Sequence, residues 1–488
     1  MGIATALTNA KLGLSASARL ADTISNNVSN AMTPGFGRRS TEINSLSLGG
    51  LGSGARIGAT TRTEAPYLTT ERRALDASLG ATATRSDSYA RLLEAFGEPG
   101  SPGALSTLAT RLETILMSAT ASPQSQAKLT DAVMAAKSVA EAIASIADET
   151  VQLRTEADAE IGRQVGRVNV ALEAVQDINR KIASLALQGV DTTGLQDERH
   201  RIIDGIASII PLRTVSRDNG QLSLYAQNGG ALLDGRIFPL EFTPATGPVT
   251  AEMGVGTGLS GLSQDQGAST GPVPVPVATG RGLFDGGSLA ALFEVRDSIV
   301  PEFSAEMDVY AGDMVARFRD SVPAAALDGA GQGLFIETST GPAAGLAGRI
   351  GLNPAVDPAA GGAVWRLRDG LSAAVPGAEG FGTYLQALAD AMVVPRAPGG
   401  LGSQTAANGG ATMASEIASF FAGRATRSDE DRSYLTARLS VLDERETNRI
   451  GVDTDAELQS LILVEQSYAA NARVLSVADD LLKLLMEV

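Results

Sequence analysis

Two segments, one near each end of the chain, carry a narrow apolar stripe with the period of an α-helix. In the first segment, which predicts a helix from about Ile3 to Asn30, the stripe advances in steps of three and four residues: Leu7, Ala10, Leu14, Ser17, Ala21, Ile24 and Val28. In the last segment the heptad positions are Leu461, Val464, Tyr468, Asn471, Leu475, Ala478, Leu482 and Leu485. Both patterns fit docking on a core equally well, but their positions at opposite ends favour packing of one helix on the other.

The region between the two stripes is dominated by helical patterning. Residues 124–188 contain no proline. They predict one long helix, on the order of 100 Å at about 1.5 Å per residue, unless the helix breaks at Gly162 or Gly166. Shorter helices are predicted at 67–97, 103–120, 194–209, 288–320, 381–391 and 412–448.

After Pro211 the period changes to the alternation that is typical of β-strands. Turn residues at Asp218-Asn219-Gly220 and Asn228-Gly229-Gly230 predict hairpins. A Gly/Pro/Ser-rich stretch at 254–282 contains too many helix-breaking residues to form a helix. A second insert, rich in Gly, Ala and Pro, covers 321–377. The predicted fold class is mainly α with β-rich inserts, in a nested order of terminal coiled-coil helices, a long-helix bundle and one or two small β outer domains.

This nesting predicts four domains, two of which are discontinuous in sequence. A terminal helical domain combines residues 1–35 and 452–488, and a helical bundle combines 36–210, 283–320 and 378–451. The β-rich insert at 211–282 and the second insert at 321–377 complete the division.

Composition narrows the classes of function. Hydrophobic residues make up 44% of the 488 residues, enough for substantial cores, and the net charge of −16 argues against binding to nucleic acid or to an anionic membrane face. The chain has no cysteine, so disulfides and thiolate chemistry are excluded. This fits a reducing cytosol and also an exported chain. Residues 1–30 lack the pattern of a secretory signal, and no apolar run reaches the length of a membrane span.

Three candidate chemical motifs favour structural interpretations. "GTGLSG" at 256–261 lacks the following helix that a dinucleotide site requires. In "DTDAE", at 453–457, Thr454 and Glu457 predict a helix capping box rather than a calcium loop. His200 is the one histidine, and its charged helix predicts a solvent-facing side chain. We therefore predict no enzyme activity, no cofactor and no metal site.

The first helix ends in "ADTISNNVSNAMTPGFGRRS", which resembles the N-terminal signature of bacterial flagellar axial proteins. The resemblance rests on Asn26, Asn27, Asn30, Thr33, Pro34, Gly35 and Phe36. The C-terminal helix resembles the matching element of the same proteins, through Glu457, Leu458, Leu461, Gln466, Tyr468, Ala470, Asn471, Ala472 and Arg473. Pro34 and Gly35 also predict on their own that the chain leaves the helix here, since Pro34 pushes Thr33 out of helical conformation.

The middle of the chain distinguishes among these relatives. The segment with Leu195, Asp197 and Arg199 is similar to the Leu-x-Asp-x-Arg helix of the flagellar hook-associated protein 1 family, where β-hairpins follow. The resemblance covers residues 1 to about 320 and 412–488. A hook or rod subunit shares the end motifs and is the alternative within the same class, while a cytosolic coiled-coil scaffold is the alternative outside it.

The resemblance implies a structural subunit at the junction between hook and filament, secreted by type III export and located in the extracellular flagellum. It implies self-assembly into a ring or tubular layer, contacts with the hook protein and the second junction protein, and an export chaperone at the C-terminal region, with no nucleic acid or membrane partner. The assembly interface is predicted at Leu7, Leu14, Ala21, Ile24, Val28, Leu461, Val464, Tyr468, Leu475, Leu482 and Leu485. Because each stripe offers few contacts, we expect the terminal helices to be mobile in the single chain and to order only when neighbouring copies supply the missing apolar surface.

Overall fold

Helices account for most of the chain in the computed structural model, which describes residues 3–48, 51–267, 271–277, 282, 284, 286–397, 402–403 and 406–486. Within these residues the α-helices are α1 (Ile3–Ser29), α2 (Pro66–Phe96), α3 (Leu105–Thr120), α4 (Gln126–Ala186), α5 (Thr193–Ala207), α6 (Gly287–Glu294), α7 (Val300–Asp320), α8 (Arg366–Asp369), α9 (Thr383–Val393), α10 (Gly410–Ile450) and α11 (Thr454–Met486). A π-helical turn, Val295–Ile299, joins α6 to α7. Every predicted helical segment is confirmed.

The long helix α4 runs without a break through both of its glycines. Its 61 residues span about 90 Å at about 1.5 Å per residue. A Cβ at Gly162 would lie 2.7 Å from Cγ of Pro244. The glycine therefore allows close approach of another segment rather than a kink.

The predicted hairpins form an antiparallel sheet in the order β3-β4-β5-β6, from Leu212–Ser216, Leu222–Ala226, Ala231–Asp234 and Arg236–Ile237. Asn219 adopts φ 55° and Gly229 adopts φ 98°, the left-handed conformations that Asn and Gly tolerate best. The residue types at these turns therefore set the sheet's connections.

Shorter strands occupy the two inserts. β7 (Leu240–Glu241), β10 (Ser263–Gln264) and β11 (Val273–Pro274) form one small sheet, and β8 (Gly254–Val255) pairs with β9 (Gly258–Leu259). In the second insert β12 (Phe335–Glu337) pairs with β13 (Ile350–Leu352). The predicted fold class, mainly α with β-rich inserts, is confirmed.

One hairpin has no counterpart among the predicted elements. β1 (Arg39–Leu48) and β2 (Leu51–Arg62) pair antiparallel, with Arg39 opposite Arg62 at the open end. Two register shifts, between Thr41 and Ile43 and between Ser45 and Ser47, interrupt the ladder. Polar residues fill most positions of this hairpin, so its hydrophobic alternation is weak.

The chain divides into two compact units. The first contains Met1–Ser78, Arg167–Pro239 and Leu435–Val488, and the second contains Leu79–Gly166 and Leu240–Tyr434. In the second unit the rings of Phe96, Phe303 and Phe421 stack edge to face, with the ring centroid of Phe303 lying 6.4 and 4.8 Å from those of the other two. The predicted division into four domains is finer than this and stays a prediction. Among the described residues, no helix has the length and apolar character needed to cross a bilayer.

Candidate assembly interface at the terminal helices

The two terminal helices pack on one another in antiparallel orientation. A Cβ at Gly13 would lie 2.7 Å from the side-chain amide of Asn471, and Ser17 Oγ donates to Ser467 Oγ at 3.4 Å. The residue number therefore falls along α1 as it rises along α11. Ala10 and Ala478 are buried, one on each helix. The predicted packing of one stripe on the other is confirmed.

Most of the predicted interface residues are covered within the single chain. Ile24 is buried, and the half-buried positions are Leu7, Leu14, Ala21, Val28, Leu461, Val464 and Leu475. Tyr468 and Leu482 are exposed, and the side chain of Leu485 lies outside the described residues. α1 also packs on β2. The apolar stripes that we expected neighbouring copies to cover are thus covered largely by packing of α1 against α11 and the hairpin. A role for these eleven positions in contacts between copies stays a prediction.

A second apolar stripe runs along the other side of α11. We call it the outer seam, and it consists of Leu463, Ala470, Val474, Val477, Leu481 and Leu484. Steps of seven connect Leu463 through Ala470 and Val477 to Leu484, and another step of seven connects Val474 to Leu481. All six side chains are exposed, Leu463 by 66% and Val477 by 58%. α11 therefore has two heptad faces, of which α1 covers one.

The chain leaves α1 through the predicted turn. α1 ends at Ser29, and two backbone hydrogen bonds follow, from Thr33 N to Asn30 O and from Phe36 N to Thr33 O. Gly35 adopts φ 79°, and a Cβ there would lie 2.6 Å from Cγ of Arg201. Glycine is therefore required at this position on both conformational and steric grounds.

The asparagines of the signature fasten the end of α1 to the first strand. Asn27, only 1% exposed, donates from Nδ2 to Arg39 O at 2.8 Å and accepts from Arg39 N at 2.9 Å. Asn26 Oδ1 accepts from Arg39 Nη1 at 2.9 Å, and Asn30 donates to Asn26 O. The Arg39 guanidinium also lies 4.9 Å from the ring centre of Phe36. The side-chain amide of Asn27 thus forms the pair of hydrogen bonds with the backbone of Arg39 that a neighbouring strand would otherwise form.

Asp197 is the buried acceptor that holds this turn against α5. Its Oδ1 accepts from Gly37 N at 3.2 Å and from Arg62 Nε at 2.7 Å, while its Oδ2 accepts from Arg39 Nη2 at 3.3 Å. Asp197 is 5% exposed. One carboxylate therefore joins the exit from α1 to both strands of the β1–β2 hairpin at its open end.

Arg199, two residues later on the opposite side of α5, joins this helix to α4 and to the β3–β4 turn. Its Nη1 donates to Asn179 Oδ1 at 2.8 Å and to Gly220 O at 2.7 Å. Leu195 is half-buried on the same helix. The Leu-x-Asp-x-Arg motif is thus a structural joint between α4, α5, the terminal segment and the β3–β4 turn.

The N- and C-terminal signatures meet through Arg38. Its backbone N donates to Ile450 O at 2.9 Å, and its Nε donates to Glu457 Oε1 at 2.7 Å. Glu457 is 2% exposed, so it is a buried partner of this ion pair. The end of α1 and the start of α11 are therefore tied together at one place.

This pairing corrects the predicted capping box. Asp453, rather than Thr454, caps α11: its Oδ1 accepts from Asp455 N at 3.0 Å and from Ala456 N at 3.1 Å. Glu457 binds Arg38 instead of reaching back to the Thr454 amide. The helix begins at Thr454, one residue earlier than the capping box requires, so the capping position falls on Asp453.

His200 is half-buried rather than solvent-facing, which corrects the sequence-based expectation. It lines a cleft of about 570 Å³ that also includes the turn after α1 and the linker between α10 and α11. Its Nδ1 lies 2.8 Å from Gln196 O. Burial, together with the positive charges of Arg62, Arg73 and Arg199, lowers the pKa of His200 from 6.5 to about 4.

The lowered pKa of His200 predicts a loss of stability in acid. The unfolded chain binds the proton near pH 6.5 and the native chain only near pH 4, so the stability is complete above pH 6.5 and falls with decreasing pH. At about 1.4 kcal/mol per pKa unit, the decrease in unfolding free energy reaches at most about 3 kcal/mol. Urea unfolding of the wild type and of His200→Gln across this range measures it. Equal pH dependence in the two proteins would show that His200 titrates normally.

The remaining residues of the C-terminal signature lie on more than one face of α11. Asn471 and Ala472 are half-buried, whereas Arg473 and Tyr468 are exposed. The signature therefore includes a contact with α1, at Asn471, and one residue of the outer seam, Ala470. Sequence reasoning missed the outer seam itself.

Comparison with known proteins relates this chain to flagellar proteins. Residues 90–335 match the family model "Flagellar hook-associated protein FlgK helical domain", and residues 448–488 match "Flagellar basal body rod FlgEFG protein C-terminal". The flagellar hook-associated protein 1 of Bacillus subtilis strain 168 is 21% identical over 520 residues, which cover 98% of this chain and 96% of the relative. That of Salmonella typhimurium is 22% identical over 238 residues, covering 47% and 42%.

A solved structure, of the flagellar hook junction protein FlgK from Burkholderia pseudomallei, aligns with a TM-score of 0.45 and 17% identity over 55% of this chain and 46% of the other. The helical-domain model itself spans just over half of the 488 residues. The chain belongs to the flagellar hook-associated protein FlgK family of structural flagellar subunits.

Proposed function

We propose that this chain forms the layer that joins the flagellar hook to the filament, and that copies of it assemble through their terminal helices. The observation that carries this proposal is the outer seam of α11. A helix with a second heptad face buries that face against another helix, because apolar area removed from water contributes about 25 cal/mol per Å². In the single chain these six side chains are exposed.

The joint at the base of the terminal helices supports the same function. The hydrogen bonds of Asn27 and Asp197 and the Arg38–Glu457 pair connect α1, α5, α11 and the hairpin. Such a joint fixes the direction in which the terminal helices leave the rest of their unit. Copies that share one direction present their outer seams in equivalent positions, as a ring or tube requires.

The role is structural rather than enzymatic. The side chains of the family motif hold backbone groups, as Asn27 does at Arg39 and as Arg199 does at Gly220. We propose the hook protein and the second junction protein as neighbours in the assembled flagellum. An export chaperone would bind the C-terminal region before secretion, since the outer seam is the surface that needs protection from premature association.

A strain that lacks this chain tests the proposal. We expect hooks without filaments by electron microscopy, and restored filaments when the wild-type gene is supplied. Antibody labelling of intact cells is expected to place the chain at the base of each filament. Filaments of normal number and length in the deletion strain would contradict the proposal, as would labelling confined to the cytosol.

A further inference from the structure

The negative charge of this chain is concentrated in one of its two compact units. The first unit, which contains both terminal helices, has 21 basic and 23 acidic residues and a net charge of −2. The second unit, Leu79–Gly166 and Leu240–Tyr434, has 18 basic and 32 acidic residues and a net charge of −14. The unit that we propose for contacts between copies is therefore nearly neutral, and the other unit carries almost all of the net charge.

The two units also differ in how their carboxylates are paired. At the base of the terminal helices the buried Glu457 forms an ion pair with Arg38 at 2.7 Å. In the second unit Asp131, Glu141 and Asp148 are exposed along α4, and no arginine or lysine of the described residues forms an ion pair with them. Unpaired surface carboxylates of this kind are well hydrated in a single copy, but together they give the second unit a strongly negative field.

This field opposes the approach of a second copy in a way that depends on salt. Copies in a ring or tube share one orientation, so their acidic second units recur around the layer. At about 0.01 M salt the Debye length is about 30 Å, and like charges repel over that distance. At about 0.15 M it is about 8 Å, so the repulsion is largely screened. Burial of the apolar outer seam does not depend on such screening.

We propose that ionic strength regulates the association of copies: the acidic second unit opposes association in dilute salt, and screening of its charge permits burial of the outer seam. This inference rests on the proposed function, because it takes the terminal helices as the contact. A contact made by ion pairs would respond in the opposite direction, since salt weakens the attraction between opposite charges. The sign of the salt dependence therefore distinguishes the two kinds of contact.

Reassembly on isolated hooks tests the salt dependence. Hooks from a strain that lacks this chain are incubated with the purified full chain at about 0.01 M and at about 0.15 M sodium chloride, the two conditions compared above. The bound chain is measured after the hooks are sedimented. We expect more bound chain at the higher salt concentration. An equal or smaller amount at the higher concentration would overturn the inference.

Charge variants show whether the second unit is the cause. Asp131→Asn, Glu141→Gln and Asp148→Asn together remove three of its negative charges. Since Coulomb repulsion scales with the product of the two charges, the repulsion between two second units falls by roughly 40%. We expect this triple variant to bind more than the wild type in dilute salt. The matched control, Asp131→Glu with Glu141→Asp and Asp148→Glu, keeps the charge and binds as the wild type does. Wild-type binding by the triple variant in dilute salt would overturn the inference.

Light scattering by the chain alone separates a failure of this inference from a failure of the proposed function. The osmotic second virial coefficient is positive when copies repel one another and negative when they attract. We expect repulsion at about 0.01 M salt, weaker in the triple variant, and attraction at about 0.15 M. Val477→Ser, which shortens the outer seam without changing the charge, is expected to lose only the attraction. Unchanged attraction in Val477→Ser would contradict the proposed function, whereas unchanged repulsion in the triple variant would overturn the inference.

Discussion

Val477→Asp is expected to abolish filament growth while the chain still folds and is exported. Val477 lies in the middle of the outer seam and is 58% exposed, so a carboxylate there stays hydrated in the free chain. The expected change in unfolding free energy is within about 0.5 kcal/mol. In an assembled layer the same carboxylate would be buried without a partner, at a cost of several kcal/mol per subunit.

Complementation of the deletion strain measures this effect. Filaments are counted by electron microscopy, and the exported chain is measured in the culture medium, so that a failure of export is distinguished from a failure of assembly. Ser476→Asp is the matched control, because Ser476 is an exposed neighbour that belongs to neither stripe of α11. Normal filaments in Val477→Asp would show that the outer seam is not an assembly contact.

Asp197→Ala is expected to produce the largest loss of folding stability. Removing this carboxylate leaves Arg62, whose side chain is 7% exposed, without its charge partner and leaves the amide of Gly37 without an acceptor. Breaking a buried pair in this way costs about 3–5 kcal/mol. Hydrogen exchange followed by mass spectrometry is expected to show lost protection between Gly37 and Arg62, and urea unfolding followed by circular dichroism to show an earlier transition.

Glu198→Gln is the control for that experiment. Glu198 is the next residue of α5, and its side chain is 44% exposed in an ion pair with Arg201. Exposed pairs contribute about 0–1 kcal/mol, so this variant should unfold almost as the wild type does. Equal stability of Asp197→Ala and Glu198→Gln would mean that Asp197 is not the joint that its contacts indicate.

The sequence predicted those features that depend on neighbouring residues. The period of α1 and α11, the uninterrupted length of α4 and the Asn-Gly turns between β3 and β4 and between β4 and β5 all follow from local pattern. The exit from α1 follows as well, since Pro34 and Gly35 restrict the backbone by themselves. In these places local preference and tertiary packing favour the same conformation.

The features that the sequence did not predict depend on distant residues. Asp197 is separated by 160 residues from Gly37 and by 135 from Arg62, and nothing in its own helix indicates these partners. The β1–β2 hairpin is mostly polar and is held by α1, through Asn27 and through a 2.8 Å hydrogen bond between Thr23 and Thr41. The sequence did not predict the burial of His200 either, because that burial comes from the segments that pack around α5.

The outer seam was missed for a different reason. A heptad search selects the single most regular stripe of a helix, and in α11 that stripe is the one that faces α1. Leu463, Val477 and Leu484 recur with the same spacing on the other side, so the sequence contains the signal. The sequence of a helix with two apolar faces does not show which face packs within its own chain and which face contacts another molecule, until one of these partners is known.

The close approach of Gly13 to Asn471 favours one alignment of the terminal helices. Gly13 is the one glycine in α1, so sliding α11 by a heptad would bring the Asn471 amide against Ala6 or Leu20, where a Cβ occupies the space. A polar side chain at a heptad position commonly specifies register in this way. The register of α11 on α1 therefore also sets where the outer seam lies relative to the Arg38–Glu457 pair at the start of α11.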